Sequence, residues 1–338
     1  MNILAVESSC DETAVAVVRD GREILTDCIA SQVALHRIYG GVVPEIASRM
    51  HIEAIYGLAD QALQKAGITR SDIDAVAVTY APGLIGAVLV GVNFAKAAAF
   101  AMNKPLIPVH HIRGHIAANY LADPDLKPPF LCLVVSGGHT MFVDVKDYTR
   151  MEILGTTLDD AAGECFDKVA RVLGMPYPGG AALDKAAALG DETLYDLPRS
   201  KSGQNPYDMS FSGLKTAALN LIHHAEQVGQ EVDINSLSAA FCAAVSDTLV
   251  PRTVRALRET GYRTLAVAGG VAANSRIRRD IISAAGALGV KVCLPPLSLC
   301  GDNAAMIGAQ AYYEYLAGNL SDMNLNAYAT KSILGETL

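Results

Sequence analysis

Asn2-Ile-Leu-Ala-Val-Glu-Ser-Ser-Cys-Asp-Glu-Thr-Ala-Val-Ala-Val-Val18 opens the chain, and the same pattern returns at Leu131-Cys-Leu-Val-Val-Ser-Gly-Gly-His-Thr-Met-Phe-Val-Asp-Val145. Each stretch is two short apolar runs split by a small polar turn. Short apolar runs bounded by turn residues read as buried strands, and two of them around a turn read as a hairpin. Working outward from the first, Asp20-Gly21 turns the chain into a third strand at Glu23 to Ile29. Pro44 to Gly67 carries Ile46, Ile52, Ile55, Leu58, Ala59, Ala62 and Leu63 near a period of 3.6, which predicts a long amphipathic helix. Ala75 to Thr79 reads as a strand, residues 84–102 as an apolar helix, and Leu106 to Val109 as a strand. Outward from the second hairpin come helices around 159–174 and 235–260, strands at Thr264 to Ala268 and Val290 to Leu294, and a basic helix after Asn274. Asp302 opens a last helix to about Leu316, and the tail 318–338 is weakly patterned.

A hairpin followed by alternating helices and strands, met twice, predicts a duplicated α/β protein with two mixed sheets. Pro124, Pro128 and Pro129 interrupt the chain, so the linker is expected within 116–130. The last helix is expected to return to the first half.

Composition narrows the class. The chain has 338 residues, 51% of them hydrophobic, and a net charge of −8, which supports two ordinary cores and carries no global signature of a nucleic-acid binder. Its seven cysteines are scattered with no C-x-x-C pair, the usage of a reducing compartment. The first strand begins at once, with no basic and apolar leader before it. The most apolar segment, Leu84 to Met102, carries Asn93, Lys96, Gly86 and Gly91, and reads as a buried helix rather than a membrane span. A cytoplasmic protein with no membrane partner is the expectation.

Four turns can meet a phosphate. Ser136-Gly137-Gly138, Ser8-Ser9 with Asp11 and Glu12, Gly269-Gly270, and Pro178-Gly179-Gly180 followed by Asp184 all stand at ends of apolar strands or helices. Small residues let backbone N–H groups approach an anion, and a carboxylate suits ribose hydroxyls. Any one pair reads more simply as a tight turn; four together favour nucleotide binding. Asp160, Glu164 and Asp167 share the spacing of one helix face, usually a solvated one, with Asp167 at its edge. The run from Arg252 to Lys291 holds Arg252, Arg255, Arg258, Arg263, Arg276, Arg278, Arg279 and Lys291 against Glu259 and Asp280. It is either a local patch for phosphates or a solvated face.

Pro108-Val-His-His-Ile-Arg-Gly-His115 puts His111 and His115 four apart. On a helix they would stack a turn apart and could share one metal ion, with Asp302 either a third ligand or a helix cap. A solvated or capping histidine is the plainer alternative. The zinc-peptidase pattern H-E-x-x-H is excluded, because Ile112 stands where its glutamate base belongs.

Taken together, Glu7-Ser-Ser-Cys-Asp-Glu-Thr13, Gly40-Gly-Val-Val-Pro-Glu45, Pro82-Gly83, His110-His-Ile-Arg-Gly-His115, Val135-Ser-Gly-Gly-His-Thr140, Phe166-Asp-Lys168, Tyr177-Pro-Gly-Gly180, Phe211-Ser-Gly-Leu-Lys-Thr216, Gly269-Gly-Val-Ala-Ala-Asn274 and Asp302-Asn-Ala-Ala-Met306 resemble the TsaD (Gcp) family of tRNA adenosine threonylcarbamoyltransferases over about residues 1–316. The resemblance implies a two-lobed, actin-like and sugar-kinase-like ATPase (ASKHA) fold with duplicated RNase H-like domains. Its lobes would be 1–115 plus about 303–338, and 116–302, with an active cleft between them. It implies transfer of a threonylcarbamoyl group from threonylcarbamoyl-adenylate to N6 of the adenosine beside the anticodon, in tRNAs reading codons that begin with A. Position by position it implies that His111, His115 and Asp302 hold an iron or zinc ion. It implies that Val134, Val135, Ser136, Gly137, Gly138, Asp167, Gly180, Asp184 and Asn274 bind the adenylate, and that Asp11 and Glu12 lie near the reacting end. Magnesium with ATP or ADP, a related non-transferring homologue and a small ATPase subunit are its further expectations. Gly301 stands where many members have threonine; that changes a neighbour of Asp302, not a ligand. A small-molecule kinase on the same fold would have no use for the two histidines and the aspartate, and a non-catalytic scaffold would have lost them.

Overall fold

A computed structural model of the chain describes residues 1–200 and 203–334. They form two compact units. Unit 1 is Met1–Pro128, Lys146–Met151 and Pro295–Leu338; unit 2 is Pro129–Val145 and Glu152–Leu294.

Unit 1 opens with β1 (Asn2–Glu7), β2 (Glu12–Arg19) and β3 (Glu23–Ser31), followed by the short α1 (Val33–His36) and the long α2 (Pro44–Ala66). β4 (Ala75–Ala81), α3 (Ile85–Met102), β5 (Leu106–His110) and α4 (His111–Ala122) complete its first pass. Unit 2 holds β6 (Phe130–Val135), β7 (Thr140–Val145), β8 (Met151–Thr156), α5 (Ala162–Val172), α6 (Gly179–Ala187) and α7 (Ser212–Gln227). It continues with α8 (Ile234–Thr260), β9 (Thr264–Ala268), α9 (Ser275–Gly286) and β10 (Lys291–Cys293), and α10 (Ala304–Leu316) then belongs to unit 1.

The two sheets repeat one topology. The first runs β3-β2-β1-β4-β5, and the second, read from its far edge, runs β8-β7-β6-β9-β10. In each, the leading hairpin is antiparallel and the first strand pairs in parallel with the fourth, as Ile3 with Ala75 and Leu131 with Leu265 show. β1, β4 and β6 are buried almost end to end, as expected of strands covered on both faces. In unit 1, Leu4, Val6, Val15, Val17, Val76 and Val78 face α2 and α3 on one side. Ile3, Ala5, Ala16, Ala75, Ala77 and Val109 face Met306, Ile307 and Ala311 of α10 on the other.

Several expectations shift. α4 runs unbroken to Ala122, and unit 1 reaches Pro128, so the change of unit comes at Pro128/Pro129 rather than at 115/116. The reason is burial: ten consecutive residues, His111 to Tyr120, are buried, so the helix is part of a core and not a linker. Unit 1 resumes at Pro295 instead of about 303. The weakly patterned tail is ordered against unit 1, with Leu325, Ala327 and Ile333 buried. α6 and α7 are two helices beyond those expected from the sequence, each burying one face, Leu183 in the first and Leu214, Ala218, Ile222 and Ala225 in the second. α3 is the one helix among the described residues long and apolar enough to cross a membrane. Only one face of it is buried, through Ala87, Val88, Gly91, Val92, Ala95 and Ala99, which corrects the reading of a buried helix.

Candidate metal centre

α4 places the two histidines. His110 is its N-cap, with Nδ1 accepting from the Ile112 N–H at 3.2 Å and Nε2 donating to the Lys331 carbonyl at 3.0 Å. The capping role therefore falls to His110, and leaves His111 and His115 free to stack, with ring centroids 4.6 Å apart. Asp302 comes from the opposite direction. It precedes the N-cap of α10, which is Asn303 and not Asp302: Asn303 Oδ1 accepts from Met306 N–H at 2.8 Å. A Cβ on Gly114 would fall 2.6 Å from Ile307 Cδ1, so glycine there lets α10 cross close against α4.

One Asp302 oxygen lies 3.6 Å from His111 Nε2 and 3.2 Å from His115 Nε2. One ligand atom from each of the three residues lies within 4.8 Å of the others. On the far side of the ring, His111 Nδ1 meets Glu7 Oε2 at 3.0 Å and Ser9 Oγ at 3.2 Å. Glu7 is fully buried and held in turn by Thr79 Oγ1 and by the Ser9 N–H, each at 2.5 Å. This is a carboxylate orienting an imidazole, the arrangement that fixes the tautomer of a metal-ligating histidine and raises its basicity. Neither Glu7 nor Thr79 was singled out from the sequence, because β1 and β4 had to be paired before the two could meet.

Electrostatics agree with a cation. Burial works against charge on His111, yet Asp302 and then Glu7 prevail and push it up to about 9. Burial likewise pushes Glu7 up, but the His111 charge and hydrogen bond prevail and hold its carboxyl low. A site of two carboxylates around two imidazoles calls for positive charge. Two nitrogens with one carboxylate suit iron or zinc and leave positions for a substrate oxygen. The residues present fit such an ion.

The Asp11 and Glu12 turn belongs to the same unit. The Ser9 carbonyl accepts from Leu84 N–H at 2.8 Å, and the Asp11 carbonyl from Gln32 N–H at 3.0 Å. Glu12 Oε1 accepts from Ser31 Oγ at 2.9 Å, while burial and the nearby Asp11 and Asp302 charges push its carboxyl up to about 8. Burial, Asp11 and Asp302 push the Cys10 thiol up beyond the ordinary thiol range, so Cys10 is no thiolate nucleophile.

The other predicted residues gather in unit 2. Val134 and Val135 end β6, beside Ala268 at the end of β9. The Ser136 N–H donates to the His139 carbonyl at 2.7 Å, closing the turn around Gly137 and Gly138. Gly163 and Gly269 approach this turn so closely that a Cβ on either would lie 2.5 Å from the Ser136 or the Val135 carbonyl oxygen. Asp167 Oδ1 accepts from the Gly179 N–H at 2.7 Å, tying α5 to the start of α6 beside Gly180. Asp184 accepts from Ser275 N–H at 3.0 Å and Ser275 Oγ at 2.6 Å, next to Asn274, which caps α9 through Ile277 N–H at 3.0 Å.

The acidic face and the basic run read differently in three dimensions. Asp160 lies before α5, close-paired with Lys215, and Glu164 pairs with Lys168 at 2.6 Å. Arg252 is buried and hydrogen-bonded to the Asp208 and Thr248 carbonyls. Arg255 pairs with Glu259, and Arg276 with Glu192 and Asp280. Three of the eight basic residues of the run, Arg255, Arg276 and Arg279, are thus paired with carboxylates and Arg252 is committed to backbone carbonyls, so the run is in part structural and keeps an excess of positive charge.

The family model of "TsaD: tRNA N6-adenosine threonylcarbamoyltransferase" matches residues 23–309. A tRNA N6-adenosine threonylcarbamoyltransferase of Moorella thermoacetica is 56% identical over 326 residues, 96% of this chain and 95% of that one. One from Clostridium botulinum strain 657 is 52% identical over 327 residues, 97% and 96% of the two chains. Among solved structures, HypF of T. kodakarensis superposes with a TM-score of 0.64 at 17% identity, over 96% of this chain and 49% of that one. Component A of (R)-2-hydroxyglutaryl-CoA dehydratase from Acidaminococcus fermentans gives 0.53 at 14% identity, over 94% and 99%. At these identities the structures speak for the fold alone.

Proposed function

We propose, on the premise that this chain belongs to the TsaD family of tRNA N6-adenosine threonylcarbamoyltransferases, a division of labour among its residues. The protein is a transferase acting on tRNA adenosine. We take its donor to be threonylcarbamoyl-adenylate and its acceptor the N6 amine of the adenosine 3′ of the anticodon in tRNAs reading ANN codons. The observation that carries the reading is the meeting of His111, His115 and Asp302, with buried Glu7 behind His111.

His111, His115 and Asp302 would hold one divalent iron or zinc ion, whose chemistry there is Lewis acidity toward the threonylcarbamoyl end of the donor. Glu7 keeps His111 in the tautomer with its Nε2 lone pair turned toward Asp302. The donor is a mixed carbamic–phosphoric anhydride, already activated, so the chain need not supply a covalent nucleophile. N6 attacks the carbamoyl carbon, the bond to the phosphate oxygen breaks, and AMP leaves with that electron pair. The N6 proton goes to a carboxylate, Asp11 or Glu12. Glu12, pushed up to about 8, is matched to that task near neutral pH. In unit 2, backbone N–H groups of the Ser136–Gly138 turn and the cradle around Asp167, Gly180, Asp184 and Asn274 would bind the adenylate. Magnesium would enter only with ATP or ADP. A related non-transferring homologue and a small ATPase are the proposed partners, within the cytoplasm. Exposed apolar side chains on α2 and α3 (Ile52, Tyr56, Ile85, Leu89 and Phe100) are the chemistry such a partner needs.

The test is incubation of the metal-loaded protein with threonylcarbamoyl-adenylate and unmodified tRNA, with and without the partners, followed by nucleoside mass spectrometry. Threonylcarbamoylated adenosine is the expected product. Unmodified nucleosides from the full set would defeat the proposed donor and acceptor.

A further inference from the structure

His36 and His51 are fully buried in unit 1, and the roles assigned above use neither. Gln32, buried just past β3 at the start of α1, stands between them. The Val43 N–H points at His36 Nδ1 at 3.3 Å, and His36 Nε2 lies 3.1 Å from Gln32 Oε1. Gln32 Nε2 lies 3.4 Å from His51 Nδ1 and 3.4 Å from the Ala47 carbonyl. His51 Nδ1 also meets Thr13 Oγ1 at 2.7 Å, and His51 Nε2 lies 3.0 Å from the Cys10 carbonyl.

Both ends of this series are backbone groups with only one role. The Val43 N–H can only donate, so His36 Nδ1 must accept, and a neutral ring then carries its proton on Nε2. That proton requires the Gln32 oxygen to face His36 and its amide nitrogen to face His51. The two amide protons then go to Ala47 and toward His51 Nδ1, whose single lone pair is shared between the Thr13 hydroxyl at 2.7 Å and the amide as the longer arm at 3.4 Å. At the other end the Cys10 carbonyl can only accept, so His51 must carry its proton on Nε2. The two deductions start from opposite ends and agree at Gln32. Flipping the amide sets donor against donor at His36 and acceptor against acceptor at Ala47, a proton on His36 Nδ1 meets the Val43 N–H, and a His51 ring bare at Nε2 meets the Cys10 carbonyl, each inside a site closed to water and at the cost of an unmade buried hydrogen bond.

The chain ends where the candidate acids begin. His51 holds the Cys10 carbonyl, Gln32 holds the Asp11 carbonyl through its own N–H at 3.0 Å, and the Thr13 hydroxyl donates to His51. We infer that His36, Gln32 and His51 form a one-way hydrogen-bond chain, both rings neutral and protonated on Nε2, that positions the Cys10–Glu12 turn for transfer. They are positioning residues, acting through the backbone of Asp11 and Glu12. The other end of the chain is the Gly40-Gly41-Val42-Val43 stretch, one of the motifs left without a task. Its task here is to present the Val43 N–H to His36, with Gly40 at φ 68° and Gly41 at φ 153° carrying the turn. The inference rests on the reading of Asp11 and Glu12 given above.

The experiment has two arms. Long-range 1H–15N spectra of the histidine-labelled full chain read the tautomers directly. His36 and His51 are expected with bare Nδ1 and protonated Nε2. A proton on Nδ1 of either ring would overturn the chain. The kinetic arm compares His51→Leu with His51→Gln, whose amide can still donate to the Cys10 carbonyl. His51→Leu is expected to lower kcat about tenfold or more with KM for the adenylate within about threefold, and His51→Gln to recover most of the loss. Wild-type kcat in His51→Leu would overturn the positioning role. Should His51→Leu not fold, His51→Gln decides: with the spectra as expected, a kcat within about threefold of wild type supports the role and a larger loss opposes it. Wild-type kcat in both Asp11→Asn and Glu12→Gln would defeat the catalytic reading, and the positioning role with it, while the tautomers would still stand or fall on the spectra.

Discussion

Glu7 shows how much one buried residue can decide. It lies at the last position of β1, behind His111, with every neighbouring donor used to keep it charged. Glu7→Gln keeps the size and one acceptor but loses the charge that fixes the His111 ring. We expect zinc affinity, measured by competition with a chelator, to fall about tenfold to a hundredfold while the melting temperature stays near wild type. Unchanged affinity would remove Glu7 from the metal reading. Asp27 presents the opposite case, a carboxylate the fold tolerates poorly. Burial pushes it up to about 6 from 3.8, the backbone N–H groups of Ala304 and Ala305 offset this only in part, and its Oδ1 is buried without a partner. Between those two values the folded chain holds a proton that the unfolded chain has lost, so stability falls as pH rises through the window and levels off above it. Asp27→Asn should therefore gain on wild type as pH rises, reaching on the order of 2 kcal/mol in urea melts at about pH 8 and nothing near about pH 4. An equal gain at both would mean the effect is not protonation.

Among elements, the crossing of α4 and α10 sets the centre. α4 carries both histidines, α10 begins just after Asp302, and burial of Met306 and Ile307 holds the second helix down at about 1.5–3 kcal/mol for each side chain. At Gly114 the side chains of α10 lie directly against the α4 backbone, and an added methyl would meet Ile307 Cδ1 at 2.6 Å and Met306 Cγ at 3.3 Å. Gly114→Ala should destabilise the chain by about 1–3 kcal/mol, because Ile307 must leave its present packing to make room, and weaken metal binding to the extent that α10 and Asp302 shift with it. Melts and metal titration on the same variant check both; a loss of stability with unaltered metal affinity would show that the crossing does not set the distance. The i, i+4 spacing of His111 and His115 was legible as a shared helix face. The partner across the crossing was not, since nothing local to residue 302 says which helix it will meet.

At the scale of the whole molecule, the tail closes unit 1. The Tyr328 N–H donates to the Tyr80 carbonyl at 2.9 Å, and Lys331 lies over both tyrosine rings. The Ile333 carbonyl accepts from Arg113 Nε at 3.0 Å and Nη2 at 2.8 Å, while Nη1 meets Glu314 at 2.9 Å. Arg113 is buried, and with His110 it flanks the first metal-site histidine on α4. A chain ending at Asn326 would cost that guanidinium the Ile333 carbonyl and two hydrogen bonds with it, so we expect a loss on the order of 2–4 kcal/mol in denaturant melts and weaker metal binding. A truncated chain as stable as the whole would show that the tail only covers unit 1. The sequence by itself determined the duplicated α/β pattern with a hairpin opening each half, the shared face the two histidines would have on a helix, the glycine turns and the family, because these follow from local periodicity, turn chemistry and motif order. Only the tertiary structure decided that Asn303 rather than Asp302 caps α10, that Glu7 stands behind His111, that Arg255, Arg276 and Arg279 are paired with carboxylates, and that His36 and His51 face one another through Gln32. Each of these depends on which side chains, distant along the chain, are packed together away from water, and hydrogen-bonding and charge partners are chosen there rather than along the sequence.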